Sequence, residues 1–137
     1  MKVGLKHVRV RCEKTEFGTY LADDYKIVLL SDGTAVGNCE LRDACPTVLP
    51  ESGNVSFTVF EPHRGRGYAT EALRHLCELA KERGMCELLV TCAVDNIASK
   101  RTIQACGGIK QDQLDVSGNE VYAQRNIFLI QRFKILL

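Results

Sequence analysis

The chain has 137 residues, of which 45% are hydrophobic and 26% are charged, and its formal net charge is +1. This length predicts a single domain, residues 1–137, that can bury a core of its own. The balanced charge excludes the basic excess typical of nucleic-acid-binding proteins, and no apolar run approaches the roughly 18 residues that cross a bilayer. Charges near the N-terminus, where a secretory signal needs an apolar run, favour a cytoplasmic protein.

Cysteine usage supports the same location. The chain has seven cysteines, an odd number, and no two of them form a CxxC pair. This pattern argues against a disulfide framework and against a zinc site, so no metal is predicted. We expect reduced thiols that pack as small hydrophobic side chains.

The N-terminal third of the chain reads as antiparallel strands. Strands are predicted at 7–11, 25–31 and 34–42 from alternating or β-branched residues. Asp32 and Gly33 lie between the second and third strands, where an Asp-Gly pair is a strong hairpin signal. The segment 43–54 has two prolines and no clear period, which predicts a loop or a short irregular helix.

The middle of the chain predicts a strand, a helix and a second strand. The first strand is 55–61 and stops at Pro62. An amphipathic stripe then predicts a helix that stops at Gly84; the stripe is Ala69, Leu73, Leu76, Cys77 and Ala80. The apolar run 86–94 predicts a covered strand, parallel to the first because a helix connects the two.

The last third predicts one more helix and two late strands. Asn96 is placed to cap a short helix that ends at Gly107 and Gly108. The polar stretch that follows is predicted to be rich in turns, and 121–124 and 126–137 read as strands. The whole predicts an α/β (α+β) fold, in which two to four helices flank a mixed sheet of six or seven strands.

The segment 62–73 carries the chemical signal. It joins a strand to a helix, and a helix N-terminus presents unpaired N–H groups that favour anions. Gly65 and Gly67 allow close approach to the backbone, and Arg64 and Arg66 add positive charge. These features predict a pyrophosphate cradle. The Walker A sequence and the GxGxxG dinucleotide fingerprint are both absent.

Two short motifs carry a resemblance to a known family. The run from Arg64 to Ala69 resembles the (Gln/Arg)-x-x-Gly-x-(Gly/Ala) motif of the GCN5-related N-acetyltransferase (GNAT) superfamily. The run from Asn96 to Ser99 resembles the Asn-x-x-(Ala/Ser) segment that follows the next strand in that family. The resemblance extends from about Val55 to Gly108, and more loosely over the whole chain.

The resemblance implies the acyl-CoA N-acyltransferase fold, in which two parallel strands splay apart around the pantetheine arm of acetyl-CoA. The strands implied here are 55–61 and 86–94. A backbone N–H near Phe60 is expected to polarise the thioester carbonyl. The cofactor-binding residues that the resemblance implies are Phe60, Arg64, Gly65, Arg66, Gly67, Tyr68, Ala69, Thr70, Asn96 and Ser99.

The implied activity is transfer of an acetyl group from acetyl-CoA to a primary amine of a small molecule or peptide. The alternative is a non-catalytic CoA-binding regulatory module. Many members of the family have a tyrosine that acts as general acid seven residues after the asparagine, and this position is Ile103 here. Glu61, Glu51 and Tyr122 are weak candidates for proton transfer, and the catalytic residues stay unassigned.

The acceptor site implied by the resemblance lies at an N-terminal helical region and at the loop between the last two strands, here 43–54 and 111–120. Both segments carry mixed charge and leave the acceptor open. A homodimer through the late strands is compatible with the sequence.

Overall fold

The computed structural model describes all residues, 1–137. It contains seven strands, three α-helices and one 3₁₀ turn. In chain order they are β1 (Val3–Thr15), β2 (Gly18–Leu29), β3 (Ala35–Asp43), β4 (Val55–Val59), the 3₁₀ turn (Glu61–His63), α1 (Tyr68–Glu82), β5 (Glu87–Ala93), α2 (Ile97–Ala105), β6 (Ile109–Asp115), α3 (Glu120–Gln124) and β7 (Leu129–Leu136).

The first four strands form an antiparallel sheet in the order β1-β2-β3-β4. Strands β1 and β2 form a long hairpin that extends well beyond the predicted 7–11 and 25–31 and closes at Glu16 and Phe17. The predicted turn between β2 and β3 is confirmed, because Asp32 Oδ1 accepts a hydrogen bond from Thr34 N at 2.9 Å. The tight β1–β2 turn leaves no helix between the first two strands.

The second sheet is antiparallel, in the order β5-β7-β6, and it corrects two predictions. Residues 121–124 were expected to form a strand but lie in α3, because Asn119 Oδ1 accepts from Val121 N and Tyr122 N and so caps a helix. The stretch 111–120 was expected to be rich in turns, but its first five residues belong to strand β6. Nearly every β6 side chain is exposed at the sheet edge, so the strand lacks the hydrophobic alternation that would have predicted it.

Helix α1 packs its apolar stripe on the inner face of the first sheet and confirms the predicted helix. Leu73, Leu76 and Ala80 are fully buried in one hydrophobic cluster with side chains from both sheets. The chain leaves the helix at Gly84, whose N–H donates to Lys81 O at 3.0 Å. The predicted strand at 55–61 is shorter, because Pro62 lies in the 3₁₀ turn that follows Val59.

Strands β4 and β5 lie side by side only where they begin. Asn54, immediately before β4, donates its N–H to Leu89 O at 2.7 Å, and its side-chain Oδ1 accepts from Leu89 N at 2.8 Å. The ladder does not continue, and for this reason hydrogen bonding divides the strands into two sheets. The second half of β4 and Asn96, three residues after the end of β5, border one groove, so the two strands run in the same direction and separate.

All seven cysteines are free in the structure. Burial raises the pKa of Cys39 to about 12 and that of Cys77 to about 11, so both thiols stay protonated at neutral pH. No group of three or more His, Cys, Asp or Glu side chains is arranged to hold a metal ion. None of the helices is both long enough and apolar enough to span a membrane.

Candidate functional site

The loop between β4 and α1 adopts a conformation that depends on two glycines. Gly65 has φ +81° and Gly67 has φ +79°, a region in which residues with a Cβ are strained. A Cβ built on either residue would meet no protein atom within 4 Å. The space above both glycines is therefore open, and the backbone there is accessible to a ligand.

The same loop presents a run of unpaired backbone donors. Helix α1 makes its first backbone bond from Glu71 N to Gly67 O, at 3.2 Å. None of the six N–H groups from Gly65 to Thr70 donates to an acceptor within the protein. Gly67 is the N-cap residue and supplies no side-chain cap. Six adjacent donors at the positive end of a 15-residue helix form a site suited to an anion with several oxygens.

These donors open onto a groove of about 480 Å³. Its walls come from the second half of β4, the loop with the start of α1, and the first turns of α2. The lining residues are Phe57, Thr58, Val59, His63, Arg64, Gly65, Gly67, Tyr68, Ala69, Thr70, Asn96, Ala98, Ser99 and Thr102. Eight of the ten sequence-predicted cofactor residues line this groove, and Phe60 and Arg66 do not.

Phe60 differs from its expected role because both of its backbone groups are occupied. Its N–H donates to Val36 O at 2.8 Å and its carbonyl accepts from His63 N at 2.9 Å. Peptide groups alternate in an antiparallel pair, so those of Phe57 and Val59 point away from β3 and into the gap beside β5. Open N–H donors on β4 therefore belong to Phe57 and Val59, not to Phe60.

The two arginines of the loop have different positions. Arg64 turns back toward β4, where its Nε donates to Val59 O at 2.9 Å. This bond fixes the loop against the strand and leaves the rest of the guanidinium at the groove. Arg66 is exposed and makes no hydrogen bond, so its charge faces solvent beside the loop.

Helix α2 forms the opposite wall through its capped first turn. Asn96 Oδ1 accepts from Ser99 N at 3.1 Å, which confirms the predicted N-cap. Ile103, at the position where the family's tyrosine was expected, is 0% exposed and belongs to the hydrophobic core. No proton-transferring group lines the groove from that position.

None of the three weak proton-transfer candidates lines the groove. Glu51 Oε2 accepts from Asn119 Nδ2 at 2.7 Å, between the loop before β4 and α3. Glu61 lies exposed in the 3₁₀ turn. Burial, and then the charge of Glu51, raise the pKa of Tyr122, so its phenol stays protonated at neutral pH. Their catalytic roles stay predictions.

Two acidic side chains of the segment 111–120 already have hydrogen-bond partners. Asp112 binds Arg132 through both carboxylate oxygens, at 2.7 and 2.6 Å. Asp115 Oδ1 accepts from Ser117 N at 2.8 Å. The segment 43–54 contains no helix, and 111–115 belongs to β6. The two segments expected to bind the acceptor therefore have a different secondary structure from the helical region and the loop that the resemblance implied.

Sequence reasoning missed Asn54, which is 1% exposed and holds β4 against β5. Its side-chain Nδ2 also donates to Arg42 O at 3.1 Å and to Ala44 O at 2.8 Å. An asparagine beside a Gly-containing turn usually indicates the turn itself. The strand register that gives it this second role cannot be read from spacing.

Comparison with known proteins shows which family the chain belongs to. A sequence model of the family described as acetyltransferase (GNAT) domain matches residues 3–109. A search of curated protein sequences found no match.

Three solved structures show the same fold. RimL, a ribosomal alpha-N-protein acetyltransferase in complex with coenzyme A, superposes with a TM-score of 0.68 at 16% identity, covering 85% of this chain and 62% of that one. MccE, the microcin C7 self-immunity acetyltransferase in complex with acetyl-CoA and AMP, gives 0.64 at 16% identity, with coverages of 85% and 61%. A mutant of spermidine N-acetyltransferase SpeG from Vibrio cholerae gives 0.66 at 16% identity, with coverages of 84% and 65%.

The chain spans less than two thirds of the length of each of these three proteins. The family match covers most of the chain, from β1 to the start of β6, and includes the glycine loop, α1 and the capped α2. The chain therefore belongs to the GNAT acetyltransferase family.

Proposed function

We propose that this chain transfers an acetyl group from acetyl-CoA to a primary amine of a small molecule or a peptide. The observation that carries the proposal is the run of six unpaired N–H groups from Gly65 to Thr70 at the opening of α1. Two of the structural neighbours, MccE and RimL, were solved with acetyl-CoA and with coenzyme A. Their presence among the neighbours supports the same cofactor for this chain.

The loop fits the diphosphate of the cofactor. Its donors are clustered, its glycines leave room for oxygens to approach the backbone, and Arg66 adds a free positive charge. A helix N-terminus stabilises such an anion through its unpaired N–H groups and its dipole. When bound, the cofactor supplies the activated acetyl thioester.

The groove guides the rest of the cofactor toward the gap between β4 and β5. The peptide groups of Phe57 and Val59 face this gap, where their N–H groups can donate to the amide and thioester carbonyls of an extended arm. A backbone N–H aimed at the thioester oxygen stabilises the negative charge that develops during amine attack. This assignment moves the polarising group from the vicinity of Phe60 to Val59 or Phe57.

The chain's contribution to catalysis is then chiefly position and polarisation. Holding amine and thioester together accounts for a large part of the rate in acyl transfer. Because its pKa is raised, Tyr122 is better suited to act as a proton donor than as a base. The neighbouring Glu51 carboxylate accepts a hydrogen bond from Asn119. A neutral amine, deprotonated in solution or through water, is the nucleophile that this arrangement requires.

The proposal is tested by acetyl transfer with a panel of primary amines. Thiol release is followed with acetyl-CoA at saturation, and the amine product is identified by mass. Release that depends on the amine, and an acetylated product, are the expected results. Saturable binding of acetyl-CoA without release by any amine or peptide would support the non-catalytic module instead. Failure to bind acetyl-CoA would overturn both readings.

A further inference from the structure

The outer face of the first sheet is polar and adjoins the groove. This face points away from α1, and a shallow cavity of about 390 Å³ lies over it. Thr58 lines both this cavity and the groove. A molecule bound over the sheet can therefore reach the end of the groove where β4 offers its open N–H groups.

One row of residues crosses this face from the sheet edge to the groove. Lys6 on β1 lies opposite Lys26 on β2, Lys26 lies opposite Asn38 on β3, and Asn38 lies opposite Thr58 on β4. Neighbouring strands are about 4.8 Å apart, so Lys26 lies about 10 Å from Thr58 along the row. The row leads from two cations to the groove.

The two lysines have no carboxylate partner. Neither Lys6 nor Lys26 forms an ion pair, and both are exposed. Like charges directly opposite each other on a sheet repel, and a bound anion relieves that repulsion. The row thus presents uncompensated positive charge beside the groove.

The acidic residues on the same face are already neutralised. Asp24 accepts from Arg9 Nε at 2.7 Å and from Arg11 Nε at 2.8 Å. Glu40 is paired with Arg11 and with Arg42. No free carboxylate on this face is left to attract a polyamine, so the electrostatic preference of the cavity is for an anion.

We propose that the acceptor is a peptide whose N-terminal amine is followed, about 10 Å away, by a carboxylate held by Lys6 and Lys26. An extended peptide advances about 3.3 Å per residue, so an acidic side chain near the third residue has this spacing. The amine then lies at Thr58, where the groove ends. This inference rests on the proposed acetyl transfer and adds the class of acceptor to it.

The test compares tetrapeptide amides that differ only at the third residue. The probes are Ala-Ala-Glu-Ala amide, its Gln counterpart and its Lys counterpart, each measured for binding in the presence of CoA and for acetylation with acetyl-CoA. The wild-type chain should bind the Glu peptide about three- to tenfold more tightly than the Gln peptide, since each exposed charge pair contributes modestly. The preference should shrink as salt is raised.

Substitution of Lys6 and Lys26 tests whether these two side chains cause the preference for the Glu peptide. The double variant K6Q/K26Q should bind the Glu and Gln peptides equally, while K14Q, an exposed lysine elsewhere on β1, should keep the wild-type preference. A preference that survives in K6Q/K26Q, or equal binding of Glu and Gln peptides by the wild type, would overturn the inference. Selective binding without acetylation would support this surface and count against the transferase activity, so the two failures are distinguishable.

Discussion

Asn54 and Leu89 form two hydrogen bonds at the point where β4 and β5 separate. Asn54 N donates to Leu89 O at 2.7 Å, and Leu89 N donates to Asn54 Oδ1 at 2.8 Å. The side chain of Asn54 thus takes the place of a neighbouring peptide group. Beyond this pair the two strands share no backbone hydrogen bonds, and a gap opens between them. The β4 side of this gap lines the groove.

Removal of the Asn54 side chain should destabilise the fold. Asn54→Ala leaves Leu89 N without its acceptor and removes the donor to the carbonyls of Arg42 and Ala44. Buried groups without partners cost about 1–3 kcal/mol each, so we expect a loss of about 2–4 kcal/mol after relaxation. Urea unfolding measures the loss.

The matched control is Asn38→Ala on neighbouring β3, because Asn38 is exposed and its side chain makes no hydrogen bond. Its free energy of unfolding should change by no more than about 0.5 kcal/mol. If Asn54→Ala were as stable as the control, the two bonds to Leu89 would not hold the strands together.

Restoring a tyrosine at position 103 should not create a proton donor. Ile103 is fully buried in the core, and the larger ring with its hydroxyl would overpack that site. We expect Ile103→Tyr to lose about 1–3 kcal/mol of stability without a gain in acetyl transfer. Ile103→Val, a smaller change at the same site, should cost about 0.5–1.5 kcal/mol. A stable and more active Ile103→Tyr variant would show that the position opens to the groove.

The Asp24 carboxylate should make stability depend on pH in the acid range. Hydrogen bonds from Arg11 lower the pKa of Asp24 from 3.8 to about 2. Burial opposes this shift, and a hydrogen bond from Arg9 adds to it. Since the folded pKa is the lower one, its contribution is complete above about pH 5 and is lost as pH falls toward 2. The contribution amounts to about 1–2 kcal/mol.

Urea unfolding of the wild type and of Asp24→Asn between pH 6 and 2.5 measures this dependence. The difference in free energy of unfolding between the wild type and Asp24→Asn should decrease steadily below pH 4. Asp112→Asn, which removes an exposed partner of Arg132, is the comparison and should show a weaker trend. A difference for Asp24→Asn that stays constant over the range would mean that the ion pair with Arg11 does not form.

Much of the site could be predicted because it depends on local chemistry. The glycines at 65 and 67, the N-cap at Asn96 and the stop at Gly84 each act through the backbone of neighbouring residues, and the structure has all of them. Such signals do not require knowledge of which strands pair.

The features that were missed depend on pairing over long distances in the chain. Asn54 acquires its role from Leu89, which is 35 residues away. The row from Lys6 to Thr58 exists only through the registers of three strand pairs. Strand β6 shows no alternation because it is an exposed edge, and the cap at Asn119 overrides the strand preference of Val121 and Tyr122.

The two glycines that flank α1 provide a matched control for the role of the glycine loop in binding CoA. Gly67 at the start of α1 has φ +79° and Gly84 after its end has φ +80°, and a Cβ on either meets open space. Valine at either position therefore carries the same kind of backbone strain. Only the first position lies among the six unpaired N–H groups.

Calorimetric titration of CoA into the wild type, Gly67→Val and Gly84→Val separates loss of the binding site from loss of stability. We predict that Gly84→Val binds CoA within about twofold of the wild type, whereas Gly67→Val loses at least about 100-fold in affinity, or about 2.7 kcal/mol. Equal affinity of the two valine variants for CoA would contradict the assignment of the loop as the site of the diphosphate.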